Sequence, residues 1–316
     1  MTKKLKDILK NTKLVPSKRK GENVVKEALP RPNSDFMDGI IGVQFDVLDH
    51  GFVRVIDYMG NDASVIQAAR VSYGAGTKKI SEDRGLLRYL MRHNHSTPFE
   101  MADIKIHVKL PIFVARQWIR HRTASVNEYS ARYSIMEDEF YIPEPENLAV
   151  QSSDNKQGRG KVLDKEQAEK VRELLIDDAN RCYKNYEKMI DEDGDIQLAR
   201  ELARMDLTVN SYTQWYWKVN LHNFLNFLRL RIDRHAQYEI RVYAELLAEI
   251  LKGWCPNTYE AFMDYRVNAV SLSAQQWDFI KNILVKSPSE LEKMPSNLTK
   301  REWNEMLELI KNGSSV

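Results

Sequence analysis

The spacing of apolar residues predicts two strands in the first half of the chain. Residues 103–110, DIKIHVKL, alternate between apolar and polar side chains, with Lys105, His107 and Lys109 on the polar face. A period of two residues is that of a half-buried strand. Residues 50–60, HGFVRVIDYMG, form a second strand candidate. The pattern therefore predicts a sheet that contains both segments.

In most of the remaining chain, apolar residues recur at helical spacing. Helices are predicted to begin near Asp62, at Ser81 and at Pro111, since acidic and hydroxyl residues cap helices and proline suits the first turn. A longer helix is predicted at 165–189, at least two more between 193 and 257, and amphipathic helices at 273–285 and 299–312. The polar, glycine-bearing stretch 149–167 is predicted to be a surface loop.

Composition narrows the class of protein. The 47 basic and 45 acidic residues give a formal net charge of +2, which by itself indicates neither a nucleic-acid nor a membrane partner. Cys182 and Cys255 form no CxxC pair, which is typical of a reducing cytoplasm. No apolar run approaches the roughly 20 residues of a membrane span, and the basic N-terminus lacks the apolar region of a signal peptide.

Common cofactor motifs are absent from the sequence. It contains no GxxxxGK[ST] phosphate loop, no GxGxxG fingerprint, no HExxH and no GxSxG. The HNH run at 93–95 has no further ligands at metal spacing, so a capping or other hydrogen-bonding role is favoured and no metal site is predicted. Any anion site must therefore come from a local arrangement of side chains.

Such an arrangement is the stretch RHRTASVNEYSARYS at 120–134, through which no apolar period runs. Its arginines carry planar guanidinium groups suited to bidentate phosphate recognition. A second set follows downstream; it consists of Arg204, Asn220, Asn226, Arg231 and His235. Spacing alone leaves three interpretations open. They are solvated helix ends with salt bridges, a site for a phosphate-bearing small ligand, and a nucleic-acid-binding surface on which Tyr129 and Tyr133 stack.

The same stretch resembles the signature of the flavin-dependent thymidylate synthases, RHRxxSxNExSxRY, at every fixed position. Further segments are similar to those of the family: RVSYG at 70–74, HSTPFE at 95–100, ELAR at 201–204 and VNLHNFLNFLRLRIDRHAQYEIR at 219–241. The resemblance covers about residues 50–265. It implies an α+β fold with long central helices and a small, mostly antiparallel sheet, between a basic N-terminal extension (1–49) and a helical C-terminal extension (266–316).

The resemblance also implies a reaction. The family converts dUMP to dTMP with 5,10-methylenetetrahydrofolate as carbon donor and NADPH-reduced FAD as hydride source, without an enzyme cysteine nucleophile. Its members are homotetramers with shared active sites. We therefore expect a cytoplasmic enzyme with no membrane or nucleic-acid partner; the alternative function is nucleic-acid binding through the arginine clusters.

Site residues carry over from the family by matching positions. The residues matched to flavin contacts are Ser72, Thr97, Arg120, His121, Arg122, Glu128, Asn220, His222 and Asn226. The residues matched to nucleotide contacts are Gln117, Arg120, Glu128, Ser130, Ala131, Arg132, Arg204 and Arg231. Arg231 matches the arginine beside the uracil ring, where a cation would stabilise negative charge during the reaction. Ala131 and His222 depart from the pattern, because some members have glycine and arginine there.

Overall fold

The computed structural model describes residues 31–71, 80–153, 158–285 and 298–312. They fall into two compact units divided between Glu260 and Ala261. The helices are α1 Asp35–Ile40, α2 Asp62–Val71, α3 Ile80–Arg92, α4 Ile112–Trp118, α5 Lys165–Ile190, α6 Arg200–Ala203, α7 Leu221–Arg231, α8 Tyr238–Trp254, α9 Pro256–Phe262, α10 Ala274–Val285 and α11 Lys300–Asn312. The strands are β1 Gln44–Val47, β2 Gly51–Met59, β3 Asp103–Pro111, β4 Ser125–Glu128, β5 Ala149–Gln151, β6 Arg159–Val162 and β7 Tyr212–Asn220.

The first unit is built around a five-stranded sheet in the order β1-β2-β3-β7-β4, with every neighbouring pair antiparallel. The two predicted strands are confirmed as β2 and β3. The long helix α5 is also confirmed, and Leu221–Arg231 forms α7 directly after Asn220, its N-cap residue. The predicted fold class, an α+β architecture with long helices and a small antiparallel sheet, is therefore confirmed.

Strand β7 was not predicted from the sequence. The residues on both sides of it, within 193–257, have a helical pattern of apolar residues, and the whole segment was therefore predicted to be helical. It pairs with β3 along its whole length. Trp215 and Trp217 are buried while Tyr216 and Lys218 are exposed. This alternation is that of a strand with one face in the core. From the sequence, Trp215, Tyr216 and Trp217 are expected in the core rather than as a platform for bases. The expectation is correct for the two tryptophans and wrong for Tyr216, which lies on the exposed face of the strand.

The predicted surface loop at 149–167 is also wrong in part. Strands β5 and β6 pair with each other as a separate two-stranded sheet. None of their residues is buried. A strand pair without a buried face has no apolar alternation, and the sequence therefore gave no period-two signal.

Lys109 departs from the expected alternation of β3. The pattern placed it on the polar face, yet only 7% of the residue is exposed. The segment after the 120–134 stretch covers it, and its ammonium group pairs with Glu137 at 2.5 Å and with Glu139. Two carboxylates compensate the burial of this charge.

Trp118 at the end of α4 is the centre of the aromatic core. It is fully buried, and its ring centroid lies 4.5 Å from that of Phe227 in α7 and 5.4 Å from that of Trp217 in β7. Tyr243 in α8 packs edge-on against it at 6.0 Å. These contacts fix the end of α4, and hence the residues that follow it, against the sheet and both helices.

The elements observed near the two ends of the chain can be compared with the predicted extensions, 1–49 and 266–316. β1 pairs with β2, so the sheet begins upstream of the predicted boundary at residue 50. The second unit contains α10 and α11, which confirms both amphipathic helices. Thr299 and Glu302 exchange hydrogen bonds at the start of α11 as a capping box, with 2.8 Å from Thr299 N to the carboxylate.

Across the described ranges, no helix has the length and apolar character of a membrane span. The three-part division stays a prediction.

Candidate active site

Five residues matched to nucleotide contacts lie around one cavity of about 530 Å³, which we name the Arg132 cavity. They are Glu128, Ser130, Ala131, Arg132 and Arg204. Strand β4 ends at Glu128, whose carboxylate accepts a hydrogen bond from the hydroxyl of Thr213 in β7 at 2.8 Å. The cavity thus combines two guanidinium groups with a hydroxyl and an oriented carboxylate. This set of groups suits a phosphate attached to a sugar.

Helices α5 and α6 hold the backbone beside the Arg132 cavity. Tyr183 donates to the carbonyl of Met136 at 2.9 Å, and Arg200 donates to the carbonyl of Tyr133 at 3.1 Å. Tyr186 is fully buried in the same cluster as Met136. The second half of the 120–134 stretch is therefore held in place by packing and hydrogen bonds beside the cavity. This argues against the interpretation that the stretch consists of solvated helix ends.

Gln117 and Arg231 line a different cavity of about 800 Å³, which we name the Arg231 cavity. Arg231 ends α7, and its Nη2 donates a long hydrogen bond of 3.4 Å to the carbonyl of Gln117. Arg231 Nε and Gln117 Oε1 are buried without a hydrogen-bond partner in the described part of the chain. Burial also lowers the pKa of the Arg231 guanidinium. Buried polar atoms without partners are uncommon, and this pair is available to a ligand.

Three residues matched to flavin contacts lie where the Thr97–Met101 turn meets the start of α7; they are Thr97, Asn220 and His222. Leu221 N donates to the carbonyl of Ala102 at 2.7 Å, which joins the two elements. Asn220 caps α7 by accepting from Asn223 N at 2.9 Å. Thr97, Arg120, Arg122 and Asn226 are exposed, whereas His121 and His222 are partly buried. Ser72 lies outside the described residues.

Three comparisons with known proteins bear on these cavities. Residues 54–257 match the family model described as thymidylate synthase complementing protein. A flavin-dependent thymidylate synthase from Ruegeria pomeroyi is 62% identical over 264 residues, covering 84% of this chain and 87% of the relative. The chain belongs to the flavin-dependent thymidylate synthase family.

Two further relatives agree with this assignment. A flavin-dependent thymidylate synthase from Gluconobacter oxydans is 58% identical over 284 residues, which cover 90% of this chain and 93% of the relative. The crystal structure of a UMP/dUMP methylase from Streptomyces cacaoi, bound with 5-Br dUMP, superimposes with a TM-score of 0.63 at 30% identity. That match covers 71% of this chain and 99% of the methylase. The flavin-dependent thymidylate synthase fold is therefore the fold of the first unit.

In this flavin-dependent thymidylate synthase family member, His121 of the signature packs against the aromatic core. Its ring packs edge-on against Trp217 at 6.0 Å and Phe227 at 5.7 Å, and its Nε2 lies 3.2 Å from the Thr123 hydroxyl. Burial lowers the pKa of His121, and the charge of Arg231 lowers it further. The folded protein therefore favours the neutral imidazole.

We expect His121→Asn to reduce the loss of stability on acidification. Because the folded-state pKa of His121 lies below its ordinary value of 6.5, the unfolded chain takes up this proton first as the pH falls. The corresponding stability is present above 6.5 and is lost as the pH drops through the folded pKa. Urea unfolding at about pH 7.5 and about pH 5.5 measures the difference. His95→Asn, at an exposed position, is the control; an equal loss in wild type and His121→Asn would contradict the assignment.

The HNH run has a structural role in this family member. Asn94 adopts the left-handed conformation with φ of 58°, His95 N donates to Leu90 O at 2.9 Å and Asn94 N donates to Met91 O at 3.3 Å. These two bonds form a Schellman motif that ends α3. The favoured capping role is confirmed. The described residues include no cluster of three or more histidine, cysteine or acidic residues that would hold a metal ion.

Several residues that line the two cavities were not predicted as site residues from the sequence. Thr213 lies in the unpredicted strand β7, and Arg159 lies in the unpredicted hairpin. Arg234 and Arg241 also line the Arg231 cavity, and both fall inside the family-like segment 219–241. Their charge and their closeness to Arg231 in the sequence are the signals that could have identified them.

Proposed function

We propose that this protein makes dTMP from dUMP by flavin-dependent reductive methylation, with 5,10-methylenetetrahydrofolate as carbon donor and NADPH as reductant. The observation that carries the proposal is the Arg132 cavity. Glu128, Ser130, Arg132 and Arg204 converge there from the signature and from the ELAR segment, in a chain that belongs to the family. The crystal structure of the methylase from Streptomyces cacaoi contains bound 5-Br dUMP, which supports the same substrate class.

The residues matched to flavin contacts fit a flavin dinucleotide by their donor set. Arg120 and Arg122 provide exposed guanidinium groups for a pyrophosphate, and the N-terminal end of α7 adds the positive end of a helix dipole. We assign Thr97, His222 and Asn226 to the same site. When bound there, FAD would supply the hydride that the methylation consumes. The protein's own contribution is to bind, orient and exclude water.

Arg231 is the residue that we assign to catalysis. A partly buried cation with an unpartnered Nε beside the pyrimidine would stabilise negative charge as the ring becomes nucleophilic at C5. Gln117 and the other walls of the cavity partly bury the guanidinium, which strengthens this electrostatic effect. The arginine needs no proton transfer to act in this way.

A direct assay tests the proposed function. Purified protein should be yellow and release flavin on denaturation. It should also release tritium from C5-labelled dUMP and form dTMP when 5,10-methylenetetrahydrofolate and NADPH are both supplied. A colourless protein that FAD does not saturate, and that instead binds RNA with strong salt dependence, would overturn the proposal.

The cysteines support a route without an enzyme nucleophile, and they provide a prediction. Cys255 is fully buried, which raises the pKa of its thiol, and Cys182 lines neither cavity. A buried neutral thiol is a poor nucleophile. We expect Cys182→Ala/Cys255→Ala to keep turnover within about twofold of wild type, since neither thiol has a chemical role. Circular dichroism checks folding; loss of turnover in a folded, flavin-bound variant would contradict the route.

We further propose that the protein is a cytoplasmic homotetramer with active sites shared between subunits. Two observations support the sharing. The nucleotide residues divide between two cavities of one protomer, and most flavin residues face the surface. The two free cysteines are compatible with a reducing compartment.

Subunit mixing tests the shared site. Arg132→Ala and Arg231→Ala should each be nearly inactive alone, yet co-expression of the two variants should restore measurable turnover, because some interfaces combine an intact Arg132 cavity with an intact Arg231. The control pairs Arg132→Ala with the double variant Arg132→Ala/Arg231→Ala, which should stay inactive. Absence of recovery in mixed oligomers, verified with two affinity tags, would place each site within one subunit.

A further inference from the structure

Most of the signature residues that line the Arg132 cavity lie in a loop whose two ends are attached to the same strand. At its start, Tyr129 N donates to the carbonyl of Gln214 in β7 at 2.8 Å. At its end, the carbonyl of Glu139 accepts from Tyr212 N, also in β7, at 3.1 Å. Compact loops with closely spaced ends commonly carry functional residues on a rigid scaffold. We name residues 129–139 the Arg132 loop.

Arg132 itself is carried by a turn inside the Arg132 loop. Tyr133 N and Ser134 N both donate to the carbonyl of Ser130 at 3.1 Å, and Arg132 N donates to the hydroxyl of Ser130 at 3.3 Å. These bonds define the shape of the turn, but both partners of each bond belong to the loop. The position of the turn over the sheet therefore depends on contacts between the loop and the rest of the fold.

Lys109 holds the Arg132 loop from the side of the sheet. It lies in β3, which is paired with a strand on each side, and its carbonyl accepts from the hydroxyl of Tyr243 in α8 at 2.8 Å. Its ammonium group donates to the carboxylate of Glu137 at 2.5 Å and to that of Glu139. The cation thus belongs to a rigid part of the fold, whereas both of its acceptors belong to the loop.

The three charged groups differ in burial. The Lys109 side chain is 9% exposed, whereas those of Glu137 and Glu139 are 52% and 35% exposed. Burial lowers the pKa of Lys109, but its hydrogen bonds to both carboxylates raise it above its ordinary value, so the ammonium stays charged at neutral pH. Without this cation, the two carboxylates would keep part of their hydration, but they would repel each other and lose their attachment to β3. The cation is therefore placed to hold the loop.

We propose that Lys109 is a positioning residue for the nucleotide. It holds the Arg132 loop against the sheet so that Arg132 and Ser130 meet the phosphate and sugar, although Lys109 is not among the described residues that line the Arg132 cavity. Met136, which directly precedes Glu137, does line it, so a displacement of the loop at Glu137 would move the cavity wall. The proposal rests on the function proposed above, because dUMP is the ligand assigned to this cavity.

Lys109→Met tests the proposal, since it removes the charge but keeps an unbranched side chain of similar size. We expect the Kd of dUMP, measured by titration calorimetry, and its KM to rise about tenfold, the usual cost of losing one charge-assisted hydrogen bond. The kcat at saturating dUMP and the flavin content should stay unchanged. Lys109→Arg keeps the charge and should recover part of the affinity.

A matched control comes from the same strand. Lys105 in β3 also pairs with a carboxylate, that of Asp57 at 3.7 Å, and is not among the described residues that line either cavity. Lys105→Met should bind dUMP as the wild type does. A rise in Kd equal to that of Lys109→Met would show that the loss of any positive charge from β3 has this effect, and it would overturn the proposal.

Two further variants separate the position of the loop from the charge near the cavity. Glu137→Gln removes a negative charge but weakens the same attachment, so we expect it to weaken dUMP binding as well. Tighter binding in Glu137→Gln would show that charge alone acts over a distance. In an Arg132→Ala background, Lys109→Met should add little further loss, because both changes affect the same contact. Additive losses would show that Lys109 does not act through Arg132.

Hydrogen exchange reports on the Arg132 loop without any nucleotide. Amides of residues 129–139 should exchange faster in Lys109→Met than in the wild type, while those of α8 should not change. Unchanged dUMP affinity in the folded variant, or lowered affinity without faster exchange in the loop, would overturn the proposal. If Lys109→Met does not fold, the same measurements on Glu137→Gln decide. Wild-type turnover is measured in the same series, so failure of the proposed function is seen separately.

Discussion

Arg231→Ala will lower turnover by about 10²–10³-fold, the usual effect of removing a preorganised charge from a developing anion, while flavin content stays near that of the wild type. The reason is that the charge which the guanidinium would stabilise arises only during the reaction. In the proposed site, ground-state binding of flavin relies on Arg120, Arg122 and the start of α7, none of which is substituted. Flavin absorbance after gel filtration and single-turnover rates separate the two effects.

Matched variants sharpen this expectation. Arg231→Lys keeps a charge but not the fork and should recover part of the turnover. Arg229→Ala removes an exposed arginine two residues away that lines neither cavity, and it should behave as wild type. Parallel loss of flavin and turnover in Arg231→Ala would show that the residue serves binding rather than the chemical step.

Arg159→Ala will destabilise the folded protein by about 3 kcal/mol, because it leaves the carboxylate of Glu239 buried without its cation. The Glu239 side chain is only 3% exposed. Tyr141 and Gln237 still donate to it, at 3.3 and 2.9 Å, but neither carries a charge. The melting temperature should fall by about 6–12 °C for a chain of this size.

A second substitution separates the buried charge from the lost packing. In Arg159→Ala/Glu239→Gln the buried position is neutral and can still accept from Tyr141, so most of the lost stability should return. Arg181→Ala breaks an exposed pair with Asp178 and should cost less than about 1 kcal/mol. Equal melting temperatures for the single and double variants would mean that Glu239 is not charged in the folded state.

Elements with a clear periodic pattern could be predicted from the sequence. The alternation of DIKIHVKL identified β3, and the capping residues placed the starts of α2, α3 and α4 within a few positions. β7 was missed although Trp215 and Trp217 alternate with Tyr216 and Lys218, because helical segments on both sides dominated the interpretation. The hairpin had no signal at all, since neither of its faces is buried.

The candidate site likewise has residues that could be predicted from the sequence and features that could not. The signature identified Glu128, Ser130 and Arg132, and one cavity indeed collects them with Arg204, which lies in another segment. The separation of Gln117 and Arg231 from that group could not be foreseen, because it depends on how α4 and α7 pack around Trp118.

The position of β4 at the end of the sheet has a consequence for the order of events during synthesis. Within the described parts of the chain, the one strand that β4 pairs with is β7, through Asn127 opposite Tyr216 and Glu128 opposite Trp215. The ribosome must therefore complete residue 220 before the strand that carries the signature can find its place. Long-range pairing of this kind slows folding and leaves unpaired segments exposed in the nascent chain. The segment with the most specific sequence motif therefore cannot take its place in the sheet until β7 has been synthesised.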